Sequence, residues 1–121
     1  MSMESLEHGI SSECNAVLTP VGDALYVIGG KWKLRVIASL RDGSLRFNEI
    51  QRSVAGISAR VLSAELKELE LNGFLKRTVH SAKMPVVVEY ELTQYSDSLS
   101  DVLRALAEWG TLHRNKLKDE R

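Results

Sequence analysis

Apolar residues recur at helical spacing in the first part of the chain, directly after Thr19 and Pro20. Thr caps helices well, and Pro suits the first helical position, where its missing N–H has no partner in any case. The apolar face of this first helix consists of Val21, Ala24, Leu25 and Ile28. Gly29 and Gly30 then end the helix, because glycine adopts the left-handed conformation at little cost.

Three further helices are predicted before residue 73. The second covers about residues 31–40 and is apolar on two sides, which is typical of an inner helix. The third is short, from about residue 47 to residue 54, and a Gly-containing turn follows it. The fourth starts after Ser58 and stops at Asn72–Gly73. Its buried stripe consists of Leu62, Leu66 and Leu69.

The spacing of apolar residues then changes from helical to alternating, which indicates strands. Residues 86–92 alternate between apolar and polar, and residues 74–79 can pair with them across a loop at residues 81–85. A last helix begins near Ser96. Its apolar seam consists of Leu99, Val102, Leu103, Leu106 and Trp109 and continues weakly to Leu117.

This order predicts a mainly α fold with a small β wing (α+β). A short helix, a turn, a longer helix and a hairpin together make a winged helix-turn-helix. We expect a single domain over residues 14–113, preceded by a loose arm at residues 1–13. Residues 114–121 are expected to form the end of the last helix and a tail.

Composition narrows the class of protein. The 121 residues include 16 Lys and Arg and 16 Asp and Glu, so the chain does not coat nucleic acid by bulk charge. No apolar run approaches the roughly 20 residues that a membrane span needs, and the polar N-terminus is unlike a signal peptide. A single cysteine, Cys14, excludes an internal disulfide. The expected compartment is therefore the cytoplasm.

Net neutrality conceals a basic segment. Residues 31 to 60 contain seven Lys and Arg but only two Asp and Glu, whereas the rest of the chain has nine basic and 14 acidic residues. This segment coincides with the predicted helix-turn-helix. Local positive charge on such a unit is typical of proteins that bind nucleic-acid phosphates.

The fourth helix carries the candidate base-reading residues. At about 100° per residue, the side opposite its leucines presents small, hydroxyl and cationic side chains. The N-terminal part of this helix is the part that meets base edges in helix-turn-helix proteins. The candidates are Ser58, Arg60, Ser63, Ala64 and Lys67. Taken alone, the composition of this face fits an ordinary solvated surface at least as well as a base-reading surface.

A second group of residues is predicted to contact phosphates. Arg46 and Asn48 stand at the start of the third helix, whose N-terminal N–H groups favour anions. The hairpin cations are equally consistent with a charged edge that resists pairing with other chains. The candidates are Lys31, Lys33, Arg46, Asn48, Arg77, His80 and Lys83.

The sequence offers no catalytic constellation. Gly29–Gly30–Lys31 superficially resembles a phosphate loop. However, Leu25 stands where the first glycine of that motif belongs, and Trp32 stands where a Ser or Thr should follow the lysine. The three histidines lack the spacing of metal ligands. We therefore expect no enzyme activity, no metal site and no cofactor.

Several groups of residues, in order and correctly spaced, resemble the HxlR-type winged-helix transcription regulators over residues 14–113. They are Pro20-Val21, Ala24-Leu25, Ile28-Gly29-Gly30-Lys31-Trp32-Lys33, Arg46-Phe47-Asn48-Glu49-Ile50, Gly56-Ile57-Ser58, Val61-Leu62-Ser63, Leu66-Lys67-Glu68-Leu69-Glu70, Val88-Glu89-Tyr90-Glu91-Leu92-Thr93, Ala105-Leu106 and Trp109-Gly110. Ser96 departs from the pattern, since glycine is common there.

The resemblance implies a bacterial homodimer that binds double-stranded DNA, with the fourth helix in the major groove. It also implies a dimer built from the N-terminal and C-terminal helices. The expected interface residues are Val21, Leu25, Leu99, Val102, Leu106 and Trp109.

Cys14 is a candidate redox residue. Some family members sense electrophiles or oxidants through a cysteine directly before the Pro-Val pair, but Thr19 occupies that position here. Cys14 lies five residues earlier, so it is either a thiol open to modification or an inert cysteine. A small-molecule or oxidant effector is expected, of unidentified chemistry.

The main hypothesis is therefore a homodimeric regulator that binds a palindromic operator. The alternative is a winged-helix protein-interaction module without DNA binding, which the near-neutral charge balance permits. The two differ in salt dependence, since only phosphate binding releases condensed counterions.

Overall fold

The first helix is longer than its capping signal predicts. The computed structural model describes residues 12–120, with side-chain surroundings from residue 16 onward, and divides the chain into units at residues 1–31 and 32–121. Helix α1 spans Ser12–Ile28, with Pro20 in its interior. The prediction of a start at Thr19 and Pro20 is therefore wrong. Proline removes one backbone hydrogen bond, but the helix continues on both sides of it.

Three short helices form the centre of the second unit. Helix α2 spans Lys33–Ser39, α3 spans Phe47–Ser53 and α4 spans Ala59–Leu71. All three were predicted, with their ends within two residues of those observed. Their inward side chains make the core, which contains Val36, Ile37, Leu40, Ile50, Val54, Ile57, Leu62, Leu66 and Leu69.

The start of α4 shows the predicted local chemistry. Ser58 is the N-cap, and its hydroxyl oxygen accepts a hydrogen bond of 3.1 Å from the backbone N–H of Val61. Ile57 and Leu62, on either side of the cap, are both buried, as a hydrophobic staple requires. The cap and the staple together fix the direction in which the chain enters α4.

A three-stranded antiparallel sheet follows the helices. Strands β1 (Leu45–Arg46), β2 (Leu75–His80) and β3 (Val87–Leu92) are arranged in the order β1-β3-β2. The hairpin β2–β3 has the predicted strands and pairs Leu75 with Leu92 and His80 with Val87. Strand β1 was not predicted, and it joins the segment before α3 to the hairpin.

The two faces of β3 differ less than the alternating pattern predicts. Val87, Val88, Glu89 and Tyr90 are all half-buried, because β3 lies between β1 and β2. Glu89 pairs with Arg46 across β1 and with Thr78 across β2. Its carboxylate accepts a hydrogen bond of 3.4 Å from the Ser44 hydroxyl.

The C-terminal helical segment has two parts. A 3₁₀ helix spans Gln94–Leu99, and helix α5 spans Ser100–Asp119. The buried Ser96 hydroxyl donates a hydrogen bond to the Phe74 carbonyl, a bond that a glycine at this position could not make. Leu99 is only 8% exposed, so it packs mainly within its own chain, and its place in the dimer interface stays a prediction.

Two helices leave rows of large apolar residues exposed. On α1 these are Val17, Leu18, Val21, Leu25 and Tyr26. On α5 they are Val102, Leu106, Trp109, Leu112 and Leu117, and no residue of α5 is buried. Such rows on helices of a single protomer are typical of interfaces rather than of surfaces that remain in water.

Candidate nucleic-acid interface

Helices α3 and α4 and the turn between them form the candidate reading unit. Gly56 adopts a left-handed conformation in this turn, with φ of 86°. The N–H of Ile57 donates to the carbonyl of Val54 at 3.3 Å, and the Gln51 side-chain amide donates to the carbonyl of Ile57 at 3.4 Å. These bonds fix the turn, and the direction of α4 with it.

The outward face of α4 has the predicted composition. Arg60, Ala64 and Lys67 are exposed, and Ser63 is half-buried. The buried leucines lie on the opposite side of the same helix. Neither Arg60 nor Lys67 has a carboxylate partner within ion-pairing distance in the part of the chain that the structure describes. Both cations are therefore available to a ligand.

Ser58 has a defined local role at the edge of this face. It is exposed, and its hydroxyl oxygen caps α4. A serine hydroxyl that accepts one hydrogen bond still has its own hydrogen to donate. Ser58 can therefore cap the helix and donate to a ligand at the same time.

One side of α4 borders the hairpin. Ser63, Lys67 and Glu70 of α4 line a cleft together with Arg77 of β2 and Tyr90 of β3. The cleft brings a candidate base-reading cation and a candidate wing cation to one concave surface. Tyr90 was not among the candidate residues, because the alternating pattern treated it only as an inward strand position.

Helix α3 and the residue before it carry a second group of polar residues. Arg46, Asn48 and Arg52 are exposed and line one cleft with Ser44, Glu49 and Glu89. The Arg46 backbone N–H donates to the Glu49 carboxylate at 2.8 Å, so the protein's own carboxylate occupies part of this helix N-terminus. Arg52 was missing from the candidate residues, although it lies one helical turn after Asn48.

Lys33 has a different surrounding from that predicted. Its ammonium lies 3.1 Å from a carboxylate oxygen of Glu65 and 2.6 Å from one of Glu68, and its side chain is only 14% exposed. The hydrogen bond to Glu68 is the main cause of a raised Lys33 pKa, and burial opposes it. In the unbound chain two carboxylates therefore already hold this charge, and the phosphate contact at Lys33 stays a prediction.

The remaining candidates for phosphate contact differ in exposure and in whether they already have a partner in the protein. The His80 ring nitrogen Nε2 lies 2.7 Å from the Glu89 carboxylate, so His80 already has a partner within the sheet. Arg77 and Lys83 are exposed on the hairpin. Lys31 is exposed at the end of the first unit.

The described residues contain neither a metal-binding cluster nor a membrane-spanning helix. Among them, no group of three or more His, Cys, Asp or Glu side chains is arranged to hold a metal ion. No helix in the described part of the chain has the length and apolar character needed to cross a bilayer. Cys14 lies on α1, but its side chain is outside the described residues.

A short helix, a fixed turn, a second helix with a cationic outer face and an adjoining hairpin define a winged helix-turn-helix protein. The sequence matches the family model for the HxlR-like helix-turn-helix over residues 27–118. The chain therefore belongs to the HxlR-like helix-turn-helix family, and it is a helix-turn-helix transcriptional regulator.

Individual relatives agree with this assignment. An HTH-type transcriptional regulator of Methanothermobacter thermautotrophicus is 44% identical over 96 residues, which cover 79% of this chain and 72% of the relative. YtcD of Bacillus subtilis, also named an HTH-type transcriptional regulator, is 36% identical over 95% of this chain and 83% of its own. The chain thus has relatives in both archaea and bacteria.

Solved structures are similar to the whole fold. The reduced form of the redox regulator HypR is 39% identical, with a TM-score of 0.76 over 84% of this chain and 99% of that one. A crystal structure of YtcD is 40% identical, with a TM-score of 0.74 over 78% of this chain and 96% of that one. The predicted winged helix-turn-helix fold is confirmed.

Proposed function

We propose that this regulator binds double-stranded DNA as a homodimer on a palindromic operator, with α4 in the major groove. The observation that carries the proposal is the outer face of α4. Arg60 and Lys67 have no carboxylate partner among the described residues, and Ala64 between them is small. An arginine fork suits guanine O6 and N7, and small residues allow a helix to approach the groove floor.

The other candidate residues take supporting roles. Ser58 and Ser63 donate hydrogen bonds to base edges or nearby phosphates. Arg46 and Asn48 at the start of α3, with Arg52 in its last turn, hold a backbone phosphate, and Lys31 adds positive charge. Arg77 and Lys83 on the hairpin contact phosphates beside an adjacent minor groove.

Dimerisation is proposed because of the exposed apolar rows. Val21 and Leu25 on α1, and Val102, Leu106 and Trp109 on α5, are exposed in the single chain. A second copy can cover such rows, and most homo-oligomers are symmetric dimers. Two α4 helices would then lie about 34 Å apart, one turn of DNA, which matches a palindromic site.

The direct experiment begins with selection of bound duplexes from a random pool, followed by fluorescence anisotropy on the selected operator. Arg60→Ala and Lys67→Ala are each expected to weaken binding by about 1–3 kcal/mol, the worth of a bidentate base contact. Lys118→Ala, on the far end of α5, is the matched control and keeps near wild-type affinity. Unchanged affinity in both α4 variants would rule out their assignment to base reading.

The same measurements distinguish the alternative, a winged-helix protein-interaction module. A DNA-binding regulator loses affinity steeply as salt rises, because each phosphate contact releases a counterion. An interaction module binds random duplex weakly and with little response to salt. The exposed Arg and Lys side chains of α3, α4 and the hairpin favour the first outcome.

A redox response through Cys14 is proposed because of the likeness to HypR, whose title describes a redox regulator. Oxidant treatment of the purified protein, with Cys14→Ser as control, is expected to change operator affinity only in the wild type. Equal affinity with and without oxidant would leave Cys14 as an inert thiol.

The proposed compartment of this function is the cytoplasm, where a regulator meets chromosomal DNA.

A further inference from the structure

An ion-pair cluster joins α2 to α4. The Lys33 ammonium, at the start of α2, lies 3.1 Å from Glu65 and 2.6 Å from Glu68, which are three residues apart on α4. Lys33 and Glu65 are largely shielded, with side-chain exposures of 14% and 17%, whereas Glu68 is 57% exposed. We name these three residues the Lys33 clamp.

The clamp holds one flank of α4, and the hairpin borders the other. At about 100° per residue, Glu65 and Glu68 lie to one side of the buried leucines, and Ser63 and Glu70 lie to the other. Ser63 and Glu70 line the cleft with β2 and β3. Helix α4 is therefore tied to α2 by ion pairs on one flank and borders an open cleft on the other, so the clamp is the polar contact that acts on the rotation of the helix about its own axis.

Small rotations of α4 matter for the proposed base reading. A helix with its side chains is about 10–12 Å across, so a rotation of about 20° moves an outer side chain by about 2 Å. Functional side chains must be held to within about 0.5 Å or 10–20° of the productive geometry. Leucine packing alone tolerates repacking, whereas an ammonium held between two carboxylates ties one edge of α4 to α2.

We propose that Lys33 is a positioning residue for sequence discrimination. It touches no DNA and acts by setting the rotation of α4, so that Arg60 and Lys67 meet the correct base edges. The inference rests on the proposed function above. Shielded ion pairs contribute little net stability, so the inference assigns the pairing of Lys33 with Glu65 to conformational specificity instead.

The competing explanation is that Lys33 releases its carboxylates and contacts a phosphate. The two explanations differ in what they predict for the double variant Glu65→Gln/Glu68→Gln. Loss of two negative charges strengthens binding to any duplex under both explanations. The ratio of operator affinity to random-duplex affinity falls only if the clamp positions α4.

The experiment measures affinity for the selected operator and for random duplex across a potassium chloride series. Lys33→Met and Glu65→Gln/Glu68→Gln are each expected to lower the ratio of the two affinities at least about fivefold, the lower range for one bidentate base contact. The slope of affinity against salt stays at the wild-type value, because no phosphate contact is lost. Lys33→Arg restores most of the ratio, and Lys118→Met serves as the control for charge removal.

Three outcomes would overturn the inference. One is a salt slope lowered by about 1 in Lys33→Met with an unchanged ratio, the signature of a lost phosphate contact. Another is a stronger affinity with unchanged ratio in the double glutamine variant. The third is an unchanged ratio in all variants.

Circular dichroism checks that each variant folds. If Lys33→Met does not fold, Glu68→Gln alone, at an exposed side chain, decides the question. A wild-type protein without operator preference would instead refute the proposed function.

Discussion

At the scale of single residues, Gly56 shows how one backbone conformation supports the reading unit. Its φ of 86° lies in the left-handed region, where side chains with a Cβ are strained. A Cβ added there would meet only the Trp32 ring, at 3.9 Å, which is ordinary contact. The requirement for glycine therefore comes from the backbone and not from crowding.

Gly56→Ala is expected to lower the free energy of unfolding by about 1–2 kcal/mol, because alanine is strained in the left-handed region. Urea denaturation followed by circular dichroism measures the change. Gly110→Ala is the matched control, since Gly110 lies inside α5 with open space around its Cα. Alanine there gains up to about 1 kcal/mol of helix propensity, so the two variants shift stability in opposite directions. A neutral result at Gly56 would contradict the strain argument.

At the scale of elements, α4 is specified by its own sequence at nearly every point. Ser58 caps it, Ile57 and Leu62 form its staple, and a buried stripe of leucines fixes its inward face. Gly73, with φ of 85°, lies directly after the Asn72 C-cap. The outer face is thus free to carry side chains chosen for binding rather than for folding.

Ser58→Ala is expected to cost about 1 kcal/mol of stability, because the Val61 N–H loses its capping partner. Ser58→Asn, which preserves an N-cap oxygen, should retain most of the wild-type stability. Thermal unfolding monitored by calorimetry gives both values. Equal losses in the two variants would show that the cap contributes nothing and that another property of Ser58 is responsible.

The sequence allowed prediction of those elements whose signals are local. Periodicity and caps located α2, α3, α4 and the hairpin. Strand β1, with only two residues, has no periodicity of its own and exists because Leu45 and Arg46 pair with β3. Pro20 led to the wrong predicted start of α1, because a proline that suits the first position of a helix can also lie in its interior.

The candidate site was predictable to a similar extent. The outer face of α4 follows from helical geometry and the positions of its leucines. The pairing of Lys33 with Glu65 joins residues 32 positions apart, and no local pattern reveals such a contact. Leu99 belongs to the same apolar seam as Leu106, but only the packing shows that it is buried within its own protomer.

At the scale of the whole molecule, α5 is the element that the protomer does not bury. Leu106, Trp109 and Leu112 are exposed along it, and the ring of Trp109 stacks on that of His113 with centroids 5.1 Å apart. Acidic and basic side chains occupy its other face, as in an amphipathic helix whose apolar side has a partner. The proposed dimer supplies that partner.

Leu106→Arg is expected to shift the protein from dimer to monomer, since a charge would be buried in an apolar interface. Sedimentation velocity over a range of concentrations measures the change. Ala107→Arg introduces the same side chain one residue away, on the side of α5 opposite Trp109, and should leave the dimer intact. Identical behaviour of both variants would argue against an interface along the apolar row.

The exposed row on α5 also bears on how the regulator responds to its own abundance. Under the proposed dimerisation, free chains at low copy number are mostly single, and operator occupancy rises with the square of their concentration by mass action. A doubling of synthesis then raises occupancy about fourfold rather than twofold. The exposed leucines and tryptophan of α5, which contact no base pair, would thereby set how steeply operator occupancy depends on protein concentration.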